Sequence, residues 1–230
     1  MQLLLPVTIN TSQTFSSFIE PEQSDGLIVS EISRAIKSKE FTCHYVAGKE
    51  GTGRTHLLTA GCHYANENKK SSILLPLEQV VDSSPDLIEG LETVDLVCID
   101  DFDLVVGSEP WETAIFNLFN ALQQTKATLI VTGNQVPGEL DIRLPDLASR
   151  MQWCTLFQLY VLSNDAKIQA LMQHAHLMGF ELTEEVARFM LNRLPRKMTF
   201  LMQALNTLAK QSIERQRIVT VPFVKEILEI

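Results

Sequence analysis

The stretch Gly48-Lys49-Glu50-Gly51-Thr52-Gly53-Arg54-Thr55 carries the clearest chemistry in the chain. It meets the pattern G-x-x-x-x-G-K-[ST] at every fixed position except one, where Arg54 stands in place of lysine. Glycines at this spacing let backbone N–H groups turn inward around a phosphate, and the helix start behind them adds positive potential. The Thr55 hydroxyl is a ligand of the kind Mg²⁺ accepts. Arg54 keeps the charge but presents a wide planar fork instead of a compact ammonium. That preserves phosphate binding and changes how a γ-phosphate is met. Farther along, Leu96-Val97-Cys98-Ile99 ends in the paired carboxylates Asp100 and Asp101. A buried strand ending this way offers one carboxylate to Mg²⁺ and the next to an attacking water. The polar run Thr132-Gly133-Asn134 closes another apolar stretch and is expected to face the same crevice.

These residues need a scaffold of alternating elements. Ile28, Ile32, Ala35 and Ile36 predict a helix from about residue 27, and Phe41 to Ala47 a short buried strand. The glycine loop then opens a helix from Thr55 to about Asn66. Strands are expected at Ser72–Pro76, Asp95–Ile99, Ala127–Thr132 and Leu156–Leu162, with a short helix over Asp86–Leu91 and a longer one near 110–124. Strands alternating with helices predict an α/β body with a parallel five-stranded sheet and helices on both faces. After Ser163 the texture becomes helical, with Val186, Phe189, Met190 and Leu194 on one stripe and Met198, Leu201, Met202, Leu205 and Leu208 on another. Pro222 suits the first turn of a last helix. The expected organisation is a tail over 1–12, a body over 13–162 and a helical lid over 163–230.

The 230 residues are 45% hydrophobic and 20% charged, enough for a packed core and too apolar for wholesale disorder. With 28 acidic against 19 basic side chains the net charge is −9, which argues against gripping DNA phosphates over the whole surface. No apolar run reaches the ~18 residues of a membrane span, and the start MQLLLPVT lacks the basic region of a signal peptide. Cysteines stand at 43, 62, 98 and 154 with no CxxC pair, and the histidines complete no zinc pattern. Cys43 and Cys98 lie in apolar strand-like runs, which suits buried free thiols. The expected compartment is the cytoplasm.

Taken together, these segments resemble the AAA+ ATPases, and within them the clade of the bacterial initiator DnaA. Thr14-Phe15-Ser16-Ser17-Phe18 is similar to the TFxxF entry of that clade, and Gly51–Leu58 to its P-loop helix, which brings His56 into the nucleotide site. Leu144-Pro145-Asp146-Leu147-Ala148-Ser149-Arg150 is similar to its arginine-finger segment. The DNA-binding domain of DnaA itself has no counterpart. The nearest resemblance is to the DnaA-homologous regulators of that clade and covers essentially the whole chain, including WETAIFNLFN at 111–120, GFELTEEVARFML at 179–191 and the ending VPFVKEILEI. The tail Gln2-Leu3-Leu4-Leu5-Pro6 resembles the peptide by which replication proteins dock into the bacterial sliding clamp, with Gln2, Leu3, Leu5 and Pro6 at its matching positions.

The resemblance implies a regulator of replication initiation. It would dock on the DNA-loaded β sliding clamp of DNA polymerase III through residues 2–6 and meet DnaA through its body. Arg150 would act in trans on DnaA-bound ATP, with Arg143 as a nearby competitor for that role. DNA would be met only through the clamp, which places the protein at the nucleoid, and a homo-oligomer is compatible with this reading. The implied ligand is ADP, or ATP, with Mg, held by Gly48, Gly51, Gly53, Arg54, Thr55, His56, Asp100, Asp101, Asn134 and Arg196, with Thr55 and Asp100 on the metal. Two positions depart from the clade: Thr199 stands where its lid arginine belongs, with Arg196 about one helical turn earlier as a substitute, and Asn134 replaces an acidic residue. With Arg54, they imply feeble hydrolysis by the chain itself. Two other readings stay open: a self-contained ATPase related to helicase loaders, and a clamp-binding adaptor that touches no nucleotide.

Overall fold

The computed structural model describes residues 13–21 and 26–230. The sliding-clamp motif at 2–6 lies outside the described residues. The chain divides into two compact units, the first ending at Tyr160 and the second formed by Val161–Ile230.

In the first unit the elements run Ile28–Lys37 (α1), Thr42–Gly48 (β1), Arg54–Glu67 (α2), Ser72–Pro76 (β2), Leu77–Val80 (α3), Leu96–Asp100 (β3), Glu109–Thr125 (α4), Thr128–Gly133 (β4), Pro145–Trp153 (α5) and Thr155–Leu159 (β5). All neighbouring strands are parallel, in the order β2-β3-β4-β1-β5. Strand alternation sorts the core into two layers. Cys43, Tyr45, Val97, Ile99, Leu129 and Val131 face α4 and α5, where Ile115, Phe119, Leu147 and Met151 meet them. Val46, Leu96, Cys98 and Ile130 face α1 and α2, against Ile32, Ile36, Leu57 and Leu58. A sheet covered on both faces needs strands buried throughout, as β3 and β4 are, while the edge strand β5 leaves Thr155, Leu156 and Gln158 exposed.

Three expectations need correction. The segment 86–91 is no single helix. It forms two 3₁₀ turns, Pro85–Ile88 and Leu91–Thr93, separated by Gly90 at a φ of +87°, a left-handed conformation that ends helical propagation. Strand β5 stops at Leu159, because its partner Gly48 is the last residue of β1 and the ladder has nothing further to pair with. Cys43 is not a free thiol: it is disulfide-bonded to Cys154. Parallel register puts His44 opposite Thr155, so the residues just before them are neighbours across the ladder despite a separation of 111 in sequence. Cys62 and Cys98 are free and buried.

The second unit contains Asn164–Leu177 (α6), Glu184–Arg193 (α7), Met198–Arg215 (α8) and Val221–Leu228 (α9). Hydroxyls cap three of the starts: Ser163 accepts from the Ala166 N–H, Thr183 from that of Val186 and Thr220 from that of Phe223. Pro222 sits in the first turn of α9, where its missing N–H costs nothing. Leu171, Val186, Met190, Leu201, Leu205, Leu208 and Phe223 form the core, joining both apolar stripes in one cluster. Among the described residues no helix is long and apolar enough to cross a membrane.

Candidate functional site

The loop between β1 and α2 holds Gly51 at φ +80° and Gly53 at φ +97°, conformations that glycine adopts without steric cost. A Cβ on Gly48 would stand 2.6 Å from the Thr52 hydroxyl, so that position admits no side chain without displacing it. The Thr52 hydroxyl donates to the Lys49 carbonyl at 2.8 Å and closes the turn.

Parity along β3 aims Asp100 at α2. Leu96 and Cys98 lie in the α1–α2 layer, so Asp100, two residues on, is turned the same way. It meets Thr55 in the first turn of α2, whose hydroxyl donates to Asp100 Oδ2 at 2.6 Å. Thr132, at the end of β4, donates to Asp100 Oδ1 at 2.5 Å and accepts from the Asp101 N–H at 3.1 Å. Asp100 is 3% exposed, yet both its oxygens are satisfied.

Asp101 is differently placed. Its φ of +58° is left-handed and takes it out of the strand. The carboxylate meets Arg54, with Nη2 and Oδ1 2.7 Å apart, and Asp103 Oδ1 lies 3.9 Å from Arg54 Nη1. Burial and the neighbouring Asp100 push the Asp101 carboxyl up, while Arg54 pulls it down. Asn134 holds Asp103 in place: its backbone N–H donates to Oδ1 at 2.9 Å and its side-chain amide to Oδ2 at 2.6 Å. Asn134 thus joins the cluster through Asp103. Thr132 belongs to the polar run expected to face this crevice, whereas sequence reasoning missed Asp103; an acid two residues beyond a paired-acid strand end was the available signal.

Arg54, at 9% exposure, carries a buried Nη1 with no hydrogen-bond partner. An orphaned guanidinium donor, a glycine cradle and a Thr–Asp pair of the kind that ligates a divalent cation all fit a nucleotide phosphate with its metal. His56 is turned the other way along α2. Its Nε2 lies 3.1 Å from Ser17 Oγ and 3.2 Å from the Thr14 carbonyl, and Phe18 stands edge-on to its ring.

Arg150 lies in the last turn of α5, its guanidinium 5.4 Å from the centre of the Phe119 ring. It is half-buried and makes no ion pair among the described residues. Its competitor Arg143 is exposed, in the loop before α5. What fixes α5 is Glu112, which sequence reasoning also missed. This fully buried carboxylate accepts the N–H groups of Gly107 at 2.7 Å, Arg143 at 3.2 Å and Leu144, the residue capping α5, at 2.7 Å. The signal was a charged residue on the apolar face of α4, one helical turn before Ile115.

Arg196 belongs to the second unit. Helix α8 begins at Met198, so Arg196 is exposed in the turn preceding it, and an argument from a shared helix face does not apply. Burial together with the nearby Arg196 charge lowers the Lys167 ammonium below its ordinary range.

A parallel sheet in this order, with a glycine loop after β1 and an acid at the tip of β3, defines a P-loop protein of the AAA+ class, followed here by a helical lid. The sequence model of the bacterial DnaA ATPase domain matches residues 9–158, and that of the Hda lid domain matches 164–228. The chain belongs to the bacterial DnaA ATPase-domain family and carries an Hda-type lid. Domain III of the Thermotoga maritima replication initiation protein DnaA superposes with a TM-score of 0.78 at 19% identity, over 97% of this chain and 98% of that one. AMPPCP-bound DnaA from Aquifex aeolicus gives 0.70 at 21% identity, over 91% and 70%. The RuvB Holliday junction branch migration motor of Thermotoga maritima gives 0.64 at 14%, over 94% and 71%.

Proposed function

We propose that this chain is a DnaA-associated regulator of replication initiation that lends one arginine to its partner. Arg150 would enter the nucleotide site of a neighbouring DnaA and stabilise the charge that develops as ATP bound there is hydrolysed. Arginines acting in this way contribute about 10³–10⁵ in rate. The observation that carries the reading is the state of Arg150: a guanidinium with no ion pair among the described residues, supported from below by Phe119 on a helix whose start is anchored by Glu112. Membership of the DnaA family supports DnaA as the partner.

The chain's own ligand would be ADP, or ATP, with Mg. Gly48, Gly51, Gly53 and Arg54 would hold its phosphates and Thr55 and Asp100 its metal, with Asp101 and Asn134 beside them; His56, turned toward Ser17 and Phe18, is not among them. Bound there, the nucleotide supplies negative charge and a divalent cation to an otherwise crowded set of polar groups. Arg54 is occupied by Asp101, and the carboxylate that would orient a water is itself paired, which favours a structural role over turnover. Residues 2–6 would dock on the sliding clamp. Holding the protein there multiplies a weak contact with DnaA through effective concentration.

The test is single-turnover hydrolysis of ATP pre-bound to DnaA, with clamp loaded on DNA, with and without this protein. Acceleration that needs both clamp and protein, and that Arg150→Ala removes, supports the proposal. An unchanged rate overturns it. The Thr55–Asp100 contact favours one second reading, a self-contained ATPase. Steady-state hydrolysis by the purified chain alone would reveal it.

A further inference from the structure

We propose that the Cys43–Cys154 disulfide is a redox-modification site, opened and closed by exchange with a protein dithiol. The first unit holds two sulfur pairs in contrasting settings. Cys62 and Cys98 are fully buried in the α1–α2 layer, their Sγ atoms 3.8 Å apart and unbonded. Cys43 and Cys154 are bonded, and Cys43 borders a surface cavity of about 520 Å³ together with Phe41, His44, Trp153 and Thr155. Trp153 on its rim is 64% exposed. Cys43 and Cys154 are each 6% exposed, against 0% for Cys62 and Cys98, so a thiolate reaches Cys43 only from this cavity.

The surroundings suit both oxidation states. Cys154 Sγ lies 3.4 Å from the Arg150 carbonyl, an acceptor that a Cys154 thiol would use once it carries a proton. The β1–β5 ladder begins at His44 opposite Thr155, one residue beyond each cysteine, so opening the bond leaves the ladder intact. The segment set free is the last turn of α5, in which Trp153 stacks on Phe41 with rings 8° from parallel. Disulfides in reducing compartments are as a rule transient and sensing, whereas purely structural ones belong to oxidising compartments.

The step is ordinary thiol–disulfide exchange. A thiolate of the reductant bonds to Cys43 Sγ, and the electron pair of the broken S–S bond passes to Cys154 Sγ, which takes up a proton. The reductant's second thiolate then attacks its own sulfur in the mixed disulfide and releases Cys43 as a thiolate, protonated in turn. Two electrons and two protons move to the protein, and the dithiol leaves as a disulfide; the reverse sequence closes the pair.

The full chain is incubated with reduced thioredoxin, free thiols are trapped by a maleimide before and after denaturation, and Trp emission is followed. The expected result is no native labelling at the start. After treatment Cys43 and Cys154 label at least tenfold faster than Cys62 and Cys98, with a reversible emission change that is absent in Trp153→Phe and in Cys43→Ser. Far-ultraviolet circular dichroism is unchanged throughout. Three results overturn the proposal: a bond that thioredoxin leaves intact in the folded protein, free Cys43 and Cys154 thiols even after oxidised thioredoxin is supplied, or reduction only in step with loss of secondary structure. None depends on whether Arg150 acts on DnaA, so failure here and failure of that reading are separate.

Discussion

The Glu112 carboxylate accepts the Leu144 N–H at 2.7 Å, tying the start of α5 to the first turn of α4. Hydrogen bonds to charged groups contribute about 1.5–3 kcal/mol each, and a buried N–H without a partner costs about 1–3 kcal/mol. Glu112→Gln keeps the volume but turns one acceptor into a donor that faces N–H groups. Its expected cost is about 2–4 kcal/mol, read as a lower urea midpoint with an unchanged m-value. An unchanged midpoint would mean the loops are held by other contacts.

Arg150→Ala is expected to do the opposite. The side chain contributes a half-exposed cation–π contact of about 0.5–1 kcal/mol, so the fold should lose no more than that. Stimulation of DnaA-bound ATP hydrolysis should fall by about 10³-fold. A variant that melts early yet still stimulates would assign Arg150 to structure alone.

Much of this arrangement is legible in the sequence. The glycine loop, the β3 acids and the inner strands of the sheet follow from residue type and period, because β3 and β4 are buried throughout, while the edge strand β5, which exposes Thr155, Leu156 and Gln158, is less sharply bounded. What escapes is whatever depends on register between distant strands. Nothing local to Cys43 or Cys154 announces the pairing, which arises only once β1 lies beside β5. Asp103 and Glu112 escape for a related reason: their partners, Arg54 and Leu144, are brought to them by the sheet and by α5. Helical spacing relates Arg196 to Thr199, but α8 begins only at Met198, so that spacing does not describe where Arg196 stands.

ADP with Mg at 100 times its Kd should stabilise the protein by about 2.7 kcal/mol, seen as a higher melting temperature. Thr55→Ala removes the hydroxyl that meets Asp100 and should abolish most of that shift while leaving the unliganded melting temperature within a few degrees. A full shift in the variant would place nucleotide elsewhere.

A Cβ on Gly133 would lie 2.0 Å from the Tyr45 hydroxyl oxygen and 3.3 Å from Asp103 Oδ1. Gly133→Ala should therefore cost about 1–3 kcal/mol, the usual range for overpacking. Tyr45→Phe removes a buried hydroxyl that has no hydrogen-bond partner and should be close to neutral alone. In the double variant it should restore part of the loss, because the ring carbon at 3.1 Å still crowds the new methyl. Strict additivity in a double-mutant cycle would contradict that geometry.

His44 is 5% exposed, and neither ring nitrogen has a partner. Burial lowers its pKa below 6.5, Glu31 of α1 opposing and Arg34 of α1 adding to the effect. Above about pH 6.5 the ring is neutral in folded and unfolded chains alike, so it contributes no pH dependence. Below that the unfolded chain binds the proton first, and stability falls by up to about 1.4 kcal/mol per pH unit until the folded-state pKa is reached. Chemical denaturation between pH 7 and 5 should show this slope reduced in His44→Phe; parallel curves would assign it to other groups.

The two-residue pleat of β3 also has a consequence for insertions and deletions. Leu96, Cys98 and Asp100 face α2, while Val97 and Ile99 face α4. Removing any one residue between Leu96 and Ile99 would exchange these faces up to the excised position. The acid would then arrive at the tip of a strand whose apolar side chains meet the wrong layers, or stay in frame only by turning from Thr55 into the packing around Phe119. Substitutions within this strand trade volumes one at a time, whereas a change in its residue count alters every contact together. Such lesions should therefore be among the least tolerated in a deletion scan of the body, well ahead of deletions in the exposed turn at Asp82–Ser84.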